Sequence, residues 1–485
     1  VDVSKATSDE YARLEKVYAD IDQSIDLSAP SKPPKSPNEK TYHYIPYPKN
    51  VLCVGRKHIL NRMTEELAPR SAISTRLRTF ALHGMPGVGK TQTALNFVYD
   101  NLSYFKAVFW VSASTEQKIL QGFVGIATLL NLSEGTVAPE PAESVDAVKK
   151  WLGDTSKLDC YPTVSNLPLK RELMLIVSNS TGIRWLLVFD NVDDLKMLNR
   201  YWPTAGCGSI LVTSQNPSSE YALAHQGAKV EPFDKEETLQ FLDAFLGRYL
   251  GRLDEEAAMR LARTLGYHPL ALTQIASFIL ESSSTIPAVL EMLTKFEASH
   301  KLLDMDHSSL WYNDTVEAAF ELSISRLTEN TRRTMGVLCF FDPDSIPEAL
   351  LISKGKGHQN QLLSHLESPL NRGVLVKDLR RFTLVNKNME TQTLTIHRLV
   401  QGVVFKQLKG DISHLRISFE TALQLLHGAF PLHSLSRDHM TEVWPRCEVY
   451  LPHVLAFHEN YRRLVVDGEL CITSDFIELM YSCAW

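Results

Sequence analysis

The sequence predicts a multidomain α/β protein in which a parallel sheet domain precedes helical and mixed segments. Three observations carry this: an apolar strand, a glycine loop and a helix in succession over residues 77–99, short apolar runs alternating with helical stretches to about residue 232, and helical periodicity beyond it. A chain of 485 residues exceeds what one core can organise, so roughly three domains are expected. Hydrophobic content of 44% and charged content of 22% are those of an ordinary globular protein. A net charge of −6 gives no general attraction for nucleic acid or an anionic membrane. Cys53, Cys160, Cys207, Cys339, Cys447, Cys471 and Cys483 are scattered without a C-x-x-C pair, which suits a reducing, cytoplasmic setting better than a disulfide framework or zinc site. No apolar run approaches the roughly 20 residues that span a bilayer. Val1 at the start and an interrupted helix over 476–485 read as a piece of a longer chain.

Taken in order, residues 8–22 set Tyr11, Leu14, Tyr18 and Ile21 at helical spacing behind a Thr7/Glu10 capping box. Pro30, Pro33, Pro34, Pro37, Pro46 and Pro48 then crowd a polar stretch, so residues 1–50 are expected to be a helix and an extended linker. Residues 51–232 form the sheet domain, with strands expected at 77–82, 107–111, 185–189 and 210–213. The insert at 154–179 has no assigned form. Leu239, Phe241, Leu242, Phe245 and Leu246, then Leu261 and Leu265, mark residues 233–314 as a helical domain. Residues 315–410 combine helices with β-rich stretches at 374–376, 382–385 and 394–396, a mixture suited to a winged helix. From 411 to 485 the chain is helical again, through 419–426 and 454–457, in the manner of a repeat array.

The run Gly84-Met85-Pro86-Gly87-Val88-Gly89-Lys90-Thr91 fits the phosphate-loop pattern G-x-x-x-x-G-K-[ST], with a strand before it and a helix after. Its glycines let backbone fold closely round a polyphosphate, and its amides and the helix N-terminus face the oxygens. Lys90 neutralises charge and Thr91 holds Mg2+. Asp190, at the end of the apolar run 185–189, is the acidic partner for that ion. Asp190, Asp193 and Asp194 also read as N-caps of a following helix.

In these residues the chain resembles the NB-ARC family of STAND-class P-loop NTPases. Val54-Gly55-Arg56 resembles the family motif beside the adenine, with Gln92 following the phosphate loop. Residues 108–112 resemble its second strand, and 208–215 its sensor strand, ending on Gln215. Gly266-Tyr267-His268-Pro269-Leu270-Ala271-Leu272 is similar to the G-L-P-L-A motif, whose proline packs on the purine, and Ile396-His397-Arg398-Leu399-Val400 to the M-H-D motif, whose histidine approaches the β-phosphate of ADP. Read from the residues alone, Pro269 more readily starts a helix and His397 is more often a satisfied core histidine; the order of the motifs along the chain favours the ligand readings. The resemblance implies an ADP/ATP switch with Mg2+, closed with ADP and self-associating with ATP, in nonself recognition, immunity or cell death.

Three departures limit what the resemblance carries. Asn191 stands where relatives have a second acid, Gln215 where many have an arginine at the γ-phosphate, and Arg398 where the histidine is followed by aspartate. Asn191 orients water but cannot accept its proton, and Gln215 lacks a positive charge. Hydrolysis is therefore expected to be weak, conditional or absent. Two competing readings remain: a transcriptional regulator docking its winged helix in DNA through Lys377, Arg380, Arg381 and Lys387, and an AAA-type ATPase or kinase. The acidic chain disfavours the first, and the missing substrate-base constellation the second.

Overall fold

The structure is a computed structural model that describes residues 41–69, 77–132, 141–155, 183–204, 206, 208–251, 253–301, 311–352, 361–432, 443–464 and 472–484. Residues Tyr42–Trp485 form one compact unit. The expected helix at 8–22, the prolines from Pro30 to Pro37 and most of the 154–179 insert lie outside the described residues.

Six parallel strands make the first sheet: β1 (Tyr42–Tyr44), β2 (Arg78–His83), β3 (Ala107–Ser112), β4 (Trp185–Val192), β5 (Ser209–Ser214) and β6 (Gln226–Lys229), in the order β1-β3-β4-β5-β2-β6. Alternate residues feed opposite faces, so both are apolar, as a parallel sheet covered on two sides requires. Phe80, Leu82, Leu186 and Val188 meet Ile59 and Met63 of α1 (Lys57–Leu67) and Phe97 of α2 (Lys90–Asp100). Ala81, Leu187 and Phe189 meet Phe123 and Ile126 of α3 (Glu116–Leu129) and Val148 of α4 (Pro141–Thr155).

All four expected strands are present, with slightly different ends. Two strands of this sheet escape the sequence reading. β1 lies within the stretch read as linker, and that reading is corrected for residues 42–47. Tyr42 pairs with Ala107 and packs edge-on against Trp151, and Tyr47 does the same against Trp110, so aromatic side chains supply the buried face that a proline-rich composition hides. β6 is polar at both ends and has only Gly227 and Ala228 between, too little to register as an apolar run.

After the short α5 (Ser219–Ala222) come α6 (Lys235–Leu250), α7 (Glu255–Thr264), α8 (Pro269–Ser282) and α9 (Ile286–Lys301). Next are α10 (Trp311–Ile324), α11 (Glu329–Leu338), α12 (Gln361–Glu367), α13 (Pro369–Arg381) and α14 (Arg398–Gly410). With these helices stands a three-stranded antiparallel sheet of order β7-β9-β8, from β7 (Ile346–Pro347), β8 (Val385–Asn388) and β9 (Thr393–Ile396). The β-rich reading of 374–376 is wrong: Val374 and Val376 sit inside α13. Ser368 caps that helix by accepting from the Asn371 amide, Pro369 occupies its first turn, and Leu375, Val376 and Leu379 bury one helical face. Of 382–385 only Val385 is in a strand. The chain ends in α15 (Ile412–Ala429), α16 (Trp444–Leu464) and α17 (Ser474–Ala484). One apolar core runs through α6 to α17, joining Leu272, Phe278, Phe320, Leu338, Leu379, Ile396, Phe419 and Phe457, apart from the two sheet cores.

Candidate functional site

The phosphate loop leaves the C-terminal end of β2, the edge where parallel α/β sheets bind ligands. Gly84, Gly87 and Gly89 have φ of 149°, 75° and 98°, conformations that side chains resist. Lys90, 8% exposed, donates from Nζ to the Gly84 and Met85 carbonyls at 2.9 Å each. His268 reaches the Pro86 carbonyl at 2.9 Å, an Arg56 guanidinium nitrogen donates to the Val88 carbonyl at 3.2 Å, and Thr93 holds that of Gly89. With its carbonyls engaged this way, the loop offers its amides and the start of α2 to an anion. Burial lowers the Lys90 ammonium to about 8, against the opposing pull of Asp190 and Asp193.

Asp190 is not on the strand next to the loop, because β5 stands between β4 and β2. Thr213 of β5 bridges the gap: its hydroxyl donates to Asp190 Oδ1 at 2.5 Å, and the Thr91 hydroxyl donates to the same atom at 2.9 Å. Burial raises the Asp190 carboxyl, while those two hydroxyls hold it down. A hydroxyl and a carboxylate oxygen side by side suit a hard cation such as Mg2+, completed by phosphate oxygens and water. Asn191 sits at a bulge in β4 with φ 63°; its amide nitrogen donates to Thr213 Oγ1, and its buried Nδ2 meets no acceptor among the described residues. Asp194 is a cap, accepting from the Lys196 amide at the start of a 3₁₀ turn.

Residues from beyond the sheet close over this loop. Val54 packs on the large helical core, Gly55 has φ 75° and Arg56 φ 59°. The Arg56 amide donates to Glu237 Oε1 at 2.5 Å and its guanidinium pairs with Glu237 at 3.4 Å, 4.7 Å above the Phe233 ring. Glu237 is also the third residue of the capping box that Asp234 forms on α6. Pro269 occupies the first turn of α8 and is buried. His268 before it touches the loop, a position the motif comparison passes over. On the third side His397 caps α14 by accepting from the Leu399 amide at Nδ1. It presents open surface yet lies in a crowded cleft, where burial, then its neighbours His268, Lys90 and Arg398, lower it to about 4. Lys90, His268 and His397 thus share one cleft. Beside them Lys118 of α3 pairs with Asp342 at 2.7 Å and with Asp344, which Arg398 contacts at 3.1 Å. Burial pushes the Asp344 carboxyl up, but Lys118 and Arg398 win and hold it below the ordinary value.

Met85 is partly exposed at the loop's crest, Val88 is buried, and Gln92 accepts from Asn50 at 2.9 Å. Gln215 is exposed past the end of β5, and no hydrogen bond among the described residues ties it to the loop. Thr213, Glu237, His268, Lys118, Asp342 and Asp344 were missed by the sequence reading. The D-x-x-E spacing of Asp234 and Glu237 was a legible cap signal; Asp342 and Asp344 carry none. The basic residues suggested for DNA are partly spent: Arg381 pairs with Glu281 and Lys387 with Glu348 at 2.6 Å. Lys377, Arg380 and Arg381 stand on α13 rather than on a strand. No described helix is long and apolar enough to cross a membrane.

A parallel sheet with this loop at its carboxyl edge and a threonine–aspartate pair beside it defines a nucleotide-binding P-loop NTPase. Residues 56–249 match the NB-ARC domain, and residues 322–412 a domain of unknown function (DUF7779). Over residues 56–249 the chain thus carries an NB-ARC domain, a nucleotide-binding P-loop NTPase module. It is 24% identical over 457 residues, 87% of its length, to a nucleotide-binding leucine-rich repeat (NLR)-like protein of Hyaloscypha variabilis. To the regulatory protein AfsR of Streptomyces griseus it is 27% identical over 278 residues, 56% of its length. The chain spans 41% of the first relative and 25% of the second. Among solved structures it is similar to a STAND protein with a tetratricopeptide repeat sensor from Pyrococcus horikoshii, at 12% identity and TM-score 0.43, covering 87% of this chain and 55% of that one.

Proposed function

We propose that the chain is an ADP/ATP switch in intracellular signalling, closed around ADP and opened by exchange to ATP into a self-associating form. The observation that carries this is the convergence of Lys90, His268 and His397, one from each of three successive segments, on a single cleft. A ligand touching all three stabilises their closed arrangement by its differential affinity, and one lacking those contacts releases it. The segment around the antiparallel sheet is read as the winged helix, with His397 toward the β-phosphate. Thr91 and Asp190 hold Mg2+, which screens phosphate charge. Val54, Gly55 and Arg56 lie on the adenine side with Pro269. Asn191 positions water, and with Gln215 uncharged, turnover is slow. Nonself recognition, immunity or cell death is the response class that the NB-ARC resemblance suggests. The test is to denature the purified chain and identify the nucleotide released. ADP near one per chain, lost in Lys90→Ala, supports the switch; a chain that yields no nucleotide and takes none up overturns it.

A further inference from the structure

We propose that His268 is a positioning residue for the nucleotide: from the start of α8 it holds the phosphate loop by the Pro86 carbonyl, so that the loop's grip on a diphosphate depends on the docked helical segment. This rests on the reading that the loop binds adenine nucleotide.

The imidazole is 1% exposed, and its two nitrogens have separate duties. Nδ1 accepts from the Ala271 amide at 3.3 Å, so Nε2 carries the proton and donates it to Pro86 O at 2.9 Å. Burial, the first influence on the ring, keeps it neutral, as this division requires. The backbone is bent to deliver it: Gly266 and Tyr267 take φ of 58° and 57° in succession. A left-handed tyrosine is a local strain kept where the surroundings fix it, here by bonds from the Tyr267 amide to Ala262 O and from the Phe233 amide to Tyr267 O. The loop is shaped to the ring in turn. A Cβ at Gly87 would fall 2.5 Å from His268 Cε1, so the ring occupies the room that any side chain at Gly87 would need.

A histidine serving only as a helix cap needs Nδ1 and nothing from Nε2. Bonding Nε2 to the loop instead couples two segments 182 residues apart in sequence. Holding Pro86 O fixes the loop before ligand arrives, and a loop already ordered gives up less freedom on binding.

The full-length chain loaded with methylanthraniloyl-ADP, chased with excess ADP, reads the effect as a release rate. His268→Leu and His268→Gln both lose the Nδ1 cap, but the glutamine amide can still donate to Pro86 O. Release about fivefold to tenfold faster in His268→Leu, the scale of one net hydrogen bond, is expected. His268→Gln should stay within about twofold of the original, with unliganded melting temperatures alike in the two variants. Equal release rates in leucine and glutamine variants overturn the inference while ADP binding itself stands. An original chain that takes up no fluorescent ADP overturns the switch reading together with this one. Should the leucine variant not fold, nitrogen-15 spectra of the histidines in the unaltered chain decide: an Nε2–H tautomer that does not titrate between pH 5.5 and 8 supports the tether, and an Nδ1–H tautomer contradicts it.

Discussion

The loop side of the cleft and the side that closes over it are held by different physics. Asp190 and Thr213 stand on strands of one sheet and Lys90 and Thr91 on the helix packed against it, fixed by apolar cores on both faces. The closing side reaches that sheet through polar contacts: Arg56 to Glu237, Pro86 to His268, Lys118 to Asp342 and Asp344, Gln121 to the Glu448 carbonyl, and Asn388 to that of Pro46. Undoing an apolar core costs several kcal/mol per large side chain, whereas a parted hydrogen bond or ion pair regains water at a small net cost. A seam of the second kind is one that a ligand's differential affinity is large enough to open or shut.

The largest test of this contrast is Lys118→Ala. It takes the lysine charge from two largely buried carboxylates, leaving Asp344 with Arg398 and the Ser114 hydroxyl and Asp342 with the Asp344 amide, and should cost about 3 kcal/mol in denaturant unfolding, most of it regained when Asp342→Asn and Asp344→Asn are added. A loss under about 0.5 kcal/mol would mean the seam does not depend on that pair. Next, Lys90→Ala should weaken ADP binding by about 2 kcal/mol, roughly thirtyfold by calorimetry, while leaving unfolding nearly unchanged, because relief of the buried ammonium's desolvation offsets the two loop carbonyl bonds that it gives up.

Acid should act on the closing side. His268 and the buried His453 are lowered to about 4, so between pH 6.5 and 4 the unfolded chain takes up protons that the folded one refuses. Their contribution is intact above pH 6.5 and falls by about 1.4 kcal/mol per pH unit per group below it, a slope that His268→Gln should reduce in pH-dependent melting. The smallest effect lies at the alkaline end. Below pH 8 Lys90 is charged with or without ligand; above it, diphosphate must draw a proton onto the amine. ADP affinity should therefore be flat to about pH 8 and then fall by at most tenfold per unit, and a flat profile to pH 9.5 would remove Lys90 from the phosphates.

What was legible in the sequence follows the same division. The loop, its strand and helix, and Asp190 are local patterns and were found where expected. Thr213 was not, because its role depends on β5 lying between β2 and β4, an order that no run of residues records. His268 and Glu237 act across about 180 residues, so only their caps were readable locally. Tyr42 and Tyr47 were lost among prolines, and the valines at 374 and 376 suggested a strand that Ser368 and Pro369 turn into a helix.

The proposed switch requires one diphosphate to close three segments together. Hydrogen exchange on the full-length chain, with and without ADP, reads this directly. Residues 84–91, 266–271 and 396–399 should gain protection at the same ADP concentration; protection confined to 84–91 would contradict the claim.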